Sequence, residues 1–140
     1  MKVEERMTRN PATVNVKATA LEVAKKMKSE NLGTVLVIDN GRLKGIVTDR
    51  QIATKVVAAG NDPAKISVSE FMTKNPVTCS PGMEVCEASK IMGERGYRRI
   101  PVVEREKPVG IISVVDVAGH AKACNACMES LFAEMEKARR

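Results

Sequence analysis

Two polar groups interrupt an otherwise apolar run late in the chain. In "VGIISVVDV", Val109 to Val117, a hydroxyl at Ser113 and a carboxylate at Asp116 stand three residues apart. Ser-x-x-Asp is the spacing of a helix start. The hydroxyl caps, the acid at the third helical position reaches back to the capping residue's amide, and its charge suits the positive end of the helix dipole. A carboxylate there also keeps acceptor capacity beyond the cap, since it accepts more than one hydrogen bond.

Positive charge stands nearby. "GYRRIP" puts Arg98 and Arg99 just before an apolar strand, and a guanidinium suits planar, two-pronged phosphate contacts. Strand alternation sends neighbouring side chains to opposite faces, so the two arginines are expected to point opposite ways. Two surface arginines are the bland alternative. In the tail, His120, Cys124, Cys127 and Leu131 fall at steps of four, three and four, one helical face that Phe132 and Met135 extend. Packing of that face against the core or a second chain is one reading. A metal or redox role for Cys124-x-x-Cys127 with His120 is the other. A structural zinc site takes four ligands, so a second copy would have to complete it. A thioredoxin-type motif opens a helix after a strand, which this one does not. Cys79 and Cys86 show no ligand spacing.

These residues must be positioned by a fold, and the chain repeats itself. "MTRNPATV" from Met7 recurs as "MTKNPVTC" from Met72, an offset of 65 residues that also pairs Glu22 with Glu87, Met27 with Met92, and "GIVT" (Gly45 to Thr48) with "GIIS" (Gly110 to Ser113). Two copies of one unit follow. In each, a proline (Pro11, Pro76) precedes a short extended piece, Ala12 to Val16 or Val77 to Ser80. A helix comes next, with Leu21, Ala24, Met27 and Lys28 on one face in the first copy and Val85, Ala88, Ile91 and Met92 in the second. Thr19 with Glu22 reads as a capping box. The β-branched runs "TVLVID" and "RIPVVE" are unbroken, which suggests strands covered on both faces. Asn40-Gly41 signals a tight hairpin. The return strands "LKGIVT" and "PVGIIS" lead to second helices near Asp49 and Val114. One such βαββα unit leaves an apolar sheet face bare; two packed sheet to sheet would bury it.

The order "MT-x-NP", helix, apolar strand and "G-I-h-[ST]-x-x-D", repeated at a fixed offset, resembles the cystathionine β-synthase-type (CBS) domain, and the pair resembles a Bateman module. The likeness runs from about Met7 to Ala123. It implies an α+β fold of two βαββα repeats related by a pseudo-twofold axis, with two clefts that bind AMP, ADP, ATP or S-adenosylmethionine in many members. By the same resemblance Ser113 and Asp116 would hold the ribose and Arg98 or Arg99 the phosphates. The segment Thr13 to Ala18 would meet the adenine, largely through backbone groups, with Lys17 as an added phosphate contact. The first copy departs from the pattern. "GIVTDRQI" keeps Thr48 but has Gln51 where the second copy has Asp116, with Asp49 off that face, and it has Gly33-Thr34 in place of the arginines. The Thr48/Gln51 site is therefore expected to be the weaker one.

Composition narrows the class. The net charge of +6 is spread along the chain, and the aromatics are one Tyr and two Phe, with no Trp. Readers of single-stranded nucleic acid use stacking aromatics that are missing here, so nucleic acid is not an expected partner. No apolar run nears the roughly 18–20 residues that span a bilayer, and the expectation is a cytoplasmic, soluble protein in which structural disulfides are unusual. The expected division is a first repeat over 1–65, a second over 66–123 and an amphipathic helical tail over 124–140. The expected function is a stand-alone adenine-nucleotide sensor. It would be a homodimer without catalysis or an obligatory cofactor, acting on a partner protein. The competing readings are a ligand-free interaction module and a cysteine-dependent metal or redox protein.

Overall fold

The computed structural model describes residues 1–119 together with Glu129, Phe132, Ala133 and Glu136. In chain order, a 3-10 turn at Val3–Glu5 leads to β1 (Thr8–Arg9), β2 (Thr13–Asn15), α1 (Ala20–Glu30), β3 (Thr34–Asp39), β4 (Arg42–Thr48) and α2 (Asp49–Gln51), which runs on as a π-helical stretch, Ile52–Val57. The pattern then returns: a 3-10 turn at Val68–Glu70, β5 (Thr73–Lys74), α3 (Val85–Arg95), β6 (Arg99–Glu104), β7 (Lys107–Ser113) and α4 (Val114–Ala118). This is a mixed α+β architecture of two βαββ-type repeats.

The compact units do not follow the repeat boundaries expected at 65/66. One unit is Pro11–Pro76; the other joins Met1–Asn10 to the chain from Val77 onward. Strand pairing is the reason. β1 lies antiparallel on β7, with Thr8 opposite Ile111, and β5 lies antiparallel on β4, with Ile46 opposite Thr73. Each "MT" segment is thus an edge strand on the sheet built by the other repeat. The motif has a steric logic. A Cβ at Gly45 would fall within 2.9 Å of both Met72 Cγ and the Thr73 carbonyl oxygen, and one at Gly110 meets Met7 Cγ and the Thr8 carbonyl at the same 2.9 Å. Each methionine lies across a strand, so only glycine fits beneath it. The following Asn10 and Asn75 take left-handed φ values of 52° and 46°, a conformation asparagine tolerates, and they end the edge strand before the proline.

In the unit Pro11–Pro76 the sheet order is β2-β3-β4-β5, with β2 parallel to β3. The other unit has three strands, β1-β7-β6. The extended piece expected at Val77 to Ser80 is reduced to one bridge, Cys79 with Val102. A proline accounts for the loss. In the first unit the Leu36 amide donates to the Ala12 carbonyl at 3.0 Å; the residue at the matching place is Pro101, which has no N–H.

Each unit has its own core. Ala20, Val23 and Met27 of α1 bury against Val35, Val37 and Val47; Val85, Ala88 and Met92 of α3 bury against Ile100, Val102 and Ile112. The first helix is rotated from the expected face: Val23 is buried, while Leu21 is exposed. Thr19 and Glu22 form the expected capping box. Three successive residues are buried in β3 and again in β6, so both faces of these strands are covered. Both hairpins turn through two residues with positive φ. Asn40 (51°) and Gly41 (75°) do so in the first, Arg105 (52°) and Glu106 (67°) in the second.

Candidate functional site

The junction between β7 and α4 carries the Ser113/Asp116 pair. Ser113 is in extended conformation and caps α4, because β7 ends there and the first amides of the helix need acceptors. Asp116 N–H donates to Ser113 Oγ at 3.3 Å. In return Asp116 Oδ2 accepts from the Ser113 amide at 2.8 Å and from the Ser113 hydroxyl at 2.9 Å. Both bonds fall on one carboxylate oxygen, and the other, Oδ1, has no partner among the described residues. The capping reading is met: one carboxylate oxygen shapes the helix start by accepting from both the amide and the hydroxyl of Ser113.

Register selects between the two arginines. Arg99 stands directly opposite Ser113 in the β6–β7 ladder, and residues opposite each other present their side chains on the same sheet face. Arg98 precedes the strand and lends its carbonyl to the Val114 amide at 2.9 Å. Both side chains are exposed, and among the described residues neither guanidinium has a carboxylate partner.

The first repeat builds the same box from different groups. Thr48 caps α2, and Gln51 Oε1 accepts from the Thr48 amide at 2.9 Å. The Gln51 amide nitrogen then donates to Thr73 Oγ1 at 2.7 Å. Both ends of this side chain are engaged inside the unit. The place of Arg98 is taken by Gly33, and a Cβ there would lie 3.3 Å from Asp49 Oδ2. A carboxylate thus stands over the position that is an arginine in the second repeat.

Thr13, Lys17 and Ala18 belong to the unit Pro11–Pro76. The Thr13 carbonyl accepts from Lys26 Nζ at 2.8 Å. The Ala18 amide donates to the Asn15 carbonyl at 2.9 Å, and its carbonyl accepts from Val68 at 2.8 Å. The Lys17 amide binds Asn15 Oδ1, and its side chain is exposed. The same unit carries an open depression of about 540 Å³ whose charged rim is Asp39, Lys44, Glu70 and Lys74. It includes neither Thr48 nor Gln51, and its acids oppose a polyphosphate.

Sequence reasoning passes over Arg6. Its guanidinium is part-buried and donates from Nε at 3.3 Å and from Nη2 at 3.2 Å to the Asp116 carbonyl oxygen. The signal was present: at the repeat offset Arg6 answers to Phe71, a core residue. Among the cysteines, Cys79 is a buried free thiol that burial pushes up to about 11, and Cys86 is disulfide-bonded. His120, Cys124 and Cys127 lie outside the described residues. Among the described residues no group of three His, Cys, Asp or Glu stands close enough to hold a metal ion, and no helix is long and apolar enough to cross a membrane.

These repeats have known counterparts. The CBS domain family profile matches residues 3–58 and again 68–122. The CBS domain-containing protein YhcV of Bacillus subtilis is 39% identical over 116 residues, which are 83% of this chain and 82% of that one. Hypoxic Response Protein I, solved with two coordinated zinc ions, matches with TM-score 0.79 and 28% identity over 86% of this chain and 98% of that one. The CBS domain pair of protein MJ0100, solved in complex with 5′-methylthioadenosine and S-adenosyl-L-methionine, matches with TM-score 0.78 and 26% identity, covering 87% of this chain and 96% of that one. This chain belongs to the CBS domain family, with two CBS domains in tandem.

Proposed function

We propose that this protein is a regulatory module that senses an adenine nucleotide (AMP, ADP or ATP) at the Ser113/Asp116 junction. The observation that carries the reading is Asp116 itself: a carboxylate fixed through one oxygen, with the other unengaged among the described residues, beside a sheet face that carries Arg99. The carboxylate accepts from the ribose hydroxyls, and Arg99, with Arg98 next to it, meets the phosphates. The adenosine-type ligands of the MJ0100 pair support the ligand class. One strong site per chain is expected, because Gln51 is engaged with Thr73 and Asp49 repels phosphate in the other repeat.

The module acts by binding and not by catalysis, changes a partner protein through its ligand-dependent conformation, and works in the cytoplasm as a homodimer. In support of a subunit contact, Val115 on α4 is an apolar side chain left 76% exposed. Calorimetry with AMP, ADP, ATP and S-adenosylmethionine tests the sensing role, with light scattering for the dimer. Absence of heat and of thermal shift with all four ligands would sink it. The zinc ions of Hypoxic Response Protein I favour one second reading, a metal site to which His120 and the reduced thiols of Cys124 and Cys127 contribute and which a second copy completes. Metal analysis of the purified protein decides that, and less than stoichiometric zinc removes it.

A further inference from the structure

We infer that Arg6 is a positioning residue for Asp116, holding it by the main chain so that its carboxylate stays available; the inference rests on the nucleotide reading above. Asp116 must be rigid to present Oδ1 at a constant angle, yet each bond that fixes its carboxylate removes an acceptor site from a ligand. The two repeats resolve this differently. In the first, Gln51 is steadied by its own side chain, through the 2.7 Å bond to Thr73 Oγ1. In the second, the guanidinium of Arg6 binds the carbonyl oxygen of Asp116 and leaves the side chain alone.

Several observations agree. In the short helix α4 the Val115 and Val117 carbonyls accept from the Gly119 amide, while the Asp116 carbonyl accepts from Arg6. A cation at a helix carbonyl complements the dipole. Arg6 is itself held from both sides. Val3 is fully buried and its amide donates to the Met83 carbonyl at 2.8 Å, while Met7 lies across Gly110. Gly119 completes the arrangement: a Cβ there would run into Arg6 Nη2. With φ at −62°, Gly119 needs no glycine for its backbone, and the reason for one is room for the guanidinium. The first repeat places Phe71 at the position of Arg6, buried in the core of its unit.

The test is a double-mutant cycle read by calorimetry with ATP and AMP, using Arg6→Leu, Asp116→Asn and the double variant, with Gly119→Ala as a second way to displace the guanidinium. Arg6→Leu weakens binding about tenfold, the factor that corresponds to one hydrogen bond from a charged group, and has little further effect once Asp116 is Asn. Equal effects in both backgrounds, or no effect in either, overturn the inference, because a merely structural arginine would act independently of residue 116. Hydrogen exchange at the Asp116 amide, measured without nucleotide, separates the two levels of the argument. Should wild type bind no nucleotide, the sensing role fails and exchange alone decides: faster exchange at Asp116 in R6L and G119A upholds the positioning role, and unchanged exchange refutes it.

Discussion

The junctions at Thr48 and Ser113 share a backbone and differ in what surrounds it. Both present a hydroxyl cap at the end of a strand, a reciprocal bond from the third helical residue, and a glycine strand under a methionine. Around this common frame the first repeat places Gly33, Thr34, Asp49 and Gln51, and the second Arg98, Arg99, Val114 and Asp116. The first set closes on itself through Gln51 and Thr73 and puts an acid over the glycine. Among the described residues the second leaves Asp116 Oδ1 and the Arg98 and Arg99 guanidinium groups without a hydrogen-bond or ion-pair partner. Duplication conserves the capping device because a helix start needs it wherever it occurs. In the proposed function, binding would depend on a handful of side chains added to that device, which the two copies can vary while keeping one fold.

The largest expected effect breaks this asymmetry directly. Asp116→Ala should weaken nucleotide binding roughly a hundredfold, since hydrogen bonds to a charged group are worth about 1.5–3 kcal/mol each. Gln51→Ala should change it little, and calorimetry on the two variants gives the contrast. The reciprocal graft, Gly33→Arg with Asp49→Val and Gln51→Asp, should raise the stoichiometry toward two per chain; a ratio that stays at one would show that the first repeat lacks more than charge.

A smaller effect probes what the copies have in common. Gly45→Ala and Gly110→Ala should each destabilise by about 2 kcal/mol, because a Cβ overpacks against a methionine and a strand carbonyl. Thermal melts should show similar losses for the pair; a large difference would mean that the edge strands are held differently. The smallest effect concerns Cys79, which stands where the first repeat has Val14. Burial pushes this thiol up to about 11, above its ordinary 9.0. The folded state therefore holds the proton more tightly than the unfolded chain. Its contribution is whole below the ordinary thiol value and is lost as pH climbs toward about 11. Unfolding followed from neutral to alkaline pH should show a decline that Cys79→Val reduces.

Much of this was legible in the residues. The β-branched runs became β3 and β6 at their expected limits, Asn40-Gly41 turned the hairpin, and the Thr19/Glu22 and Ser113/Asp116 pairs capped helices, because these are local effects carried by a few neighbours. The rotation of α1 was harder to see. Leu21 outranks Val23 by size alone, but the capping box at Thr19 sets the phase of the helix and turns Leu21 outward. Pro101 in a strand signalled a missing amide, yet which partner would go unpaired depended on the parallel register. That Arg99 stands opposite Ser113 likewise needed the ladder.

By itself the sequence determined the duplication, the helix–strand–strand–helix order common to the repeats, and the capping chemistry of the Ser113/Asp116 junction, since these follow from short-range spacing and backbone need. Tertiary structure alone decided that each "MT" strand joins the other repeat's sheet, that Gln51 closes on Thr73, and that Arg6 reaches Asp116 across 110 positions of chain. Those pairings join residues far apart along the chain. No periodicity or local propensity encodes such partners; only the packed arrangement of strands brings their donors and acceptors within reach.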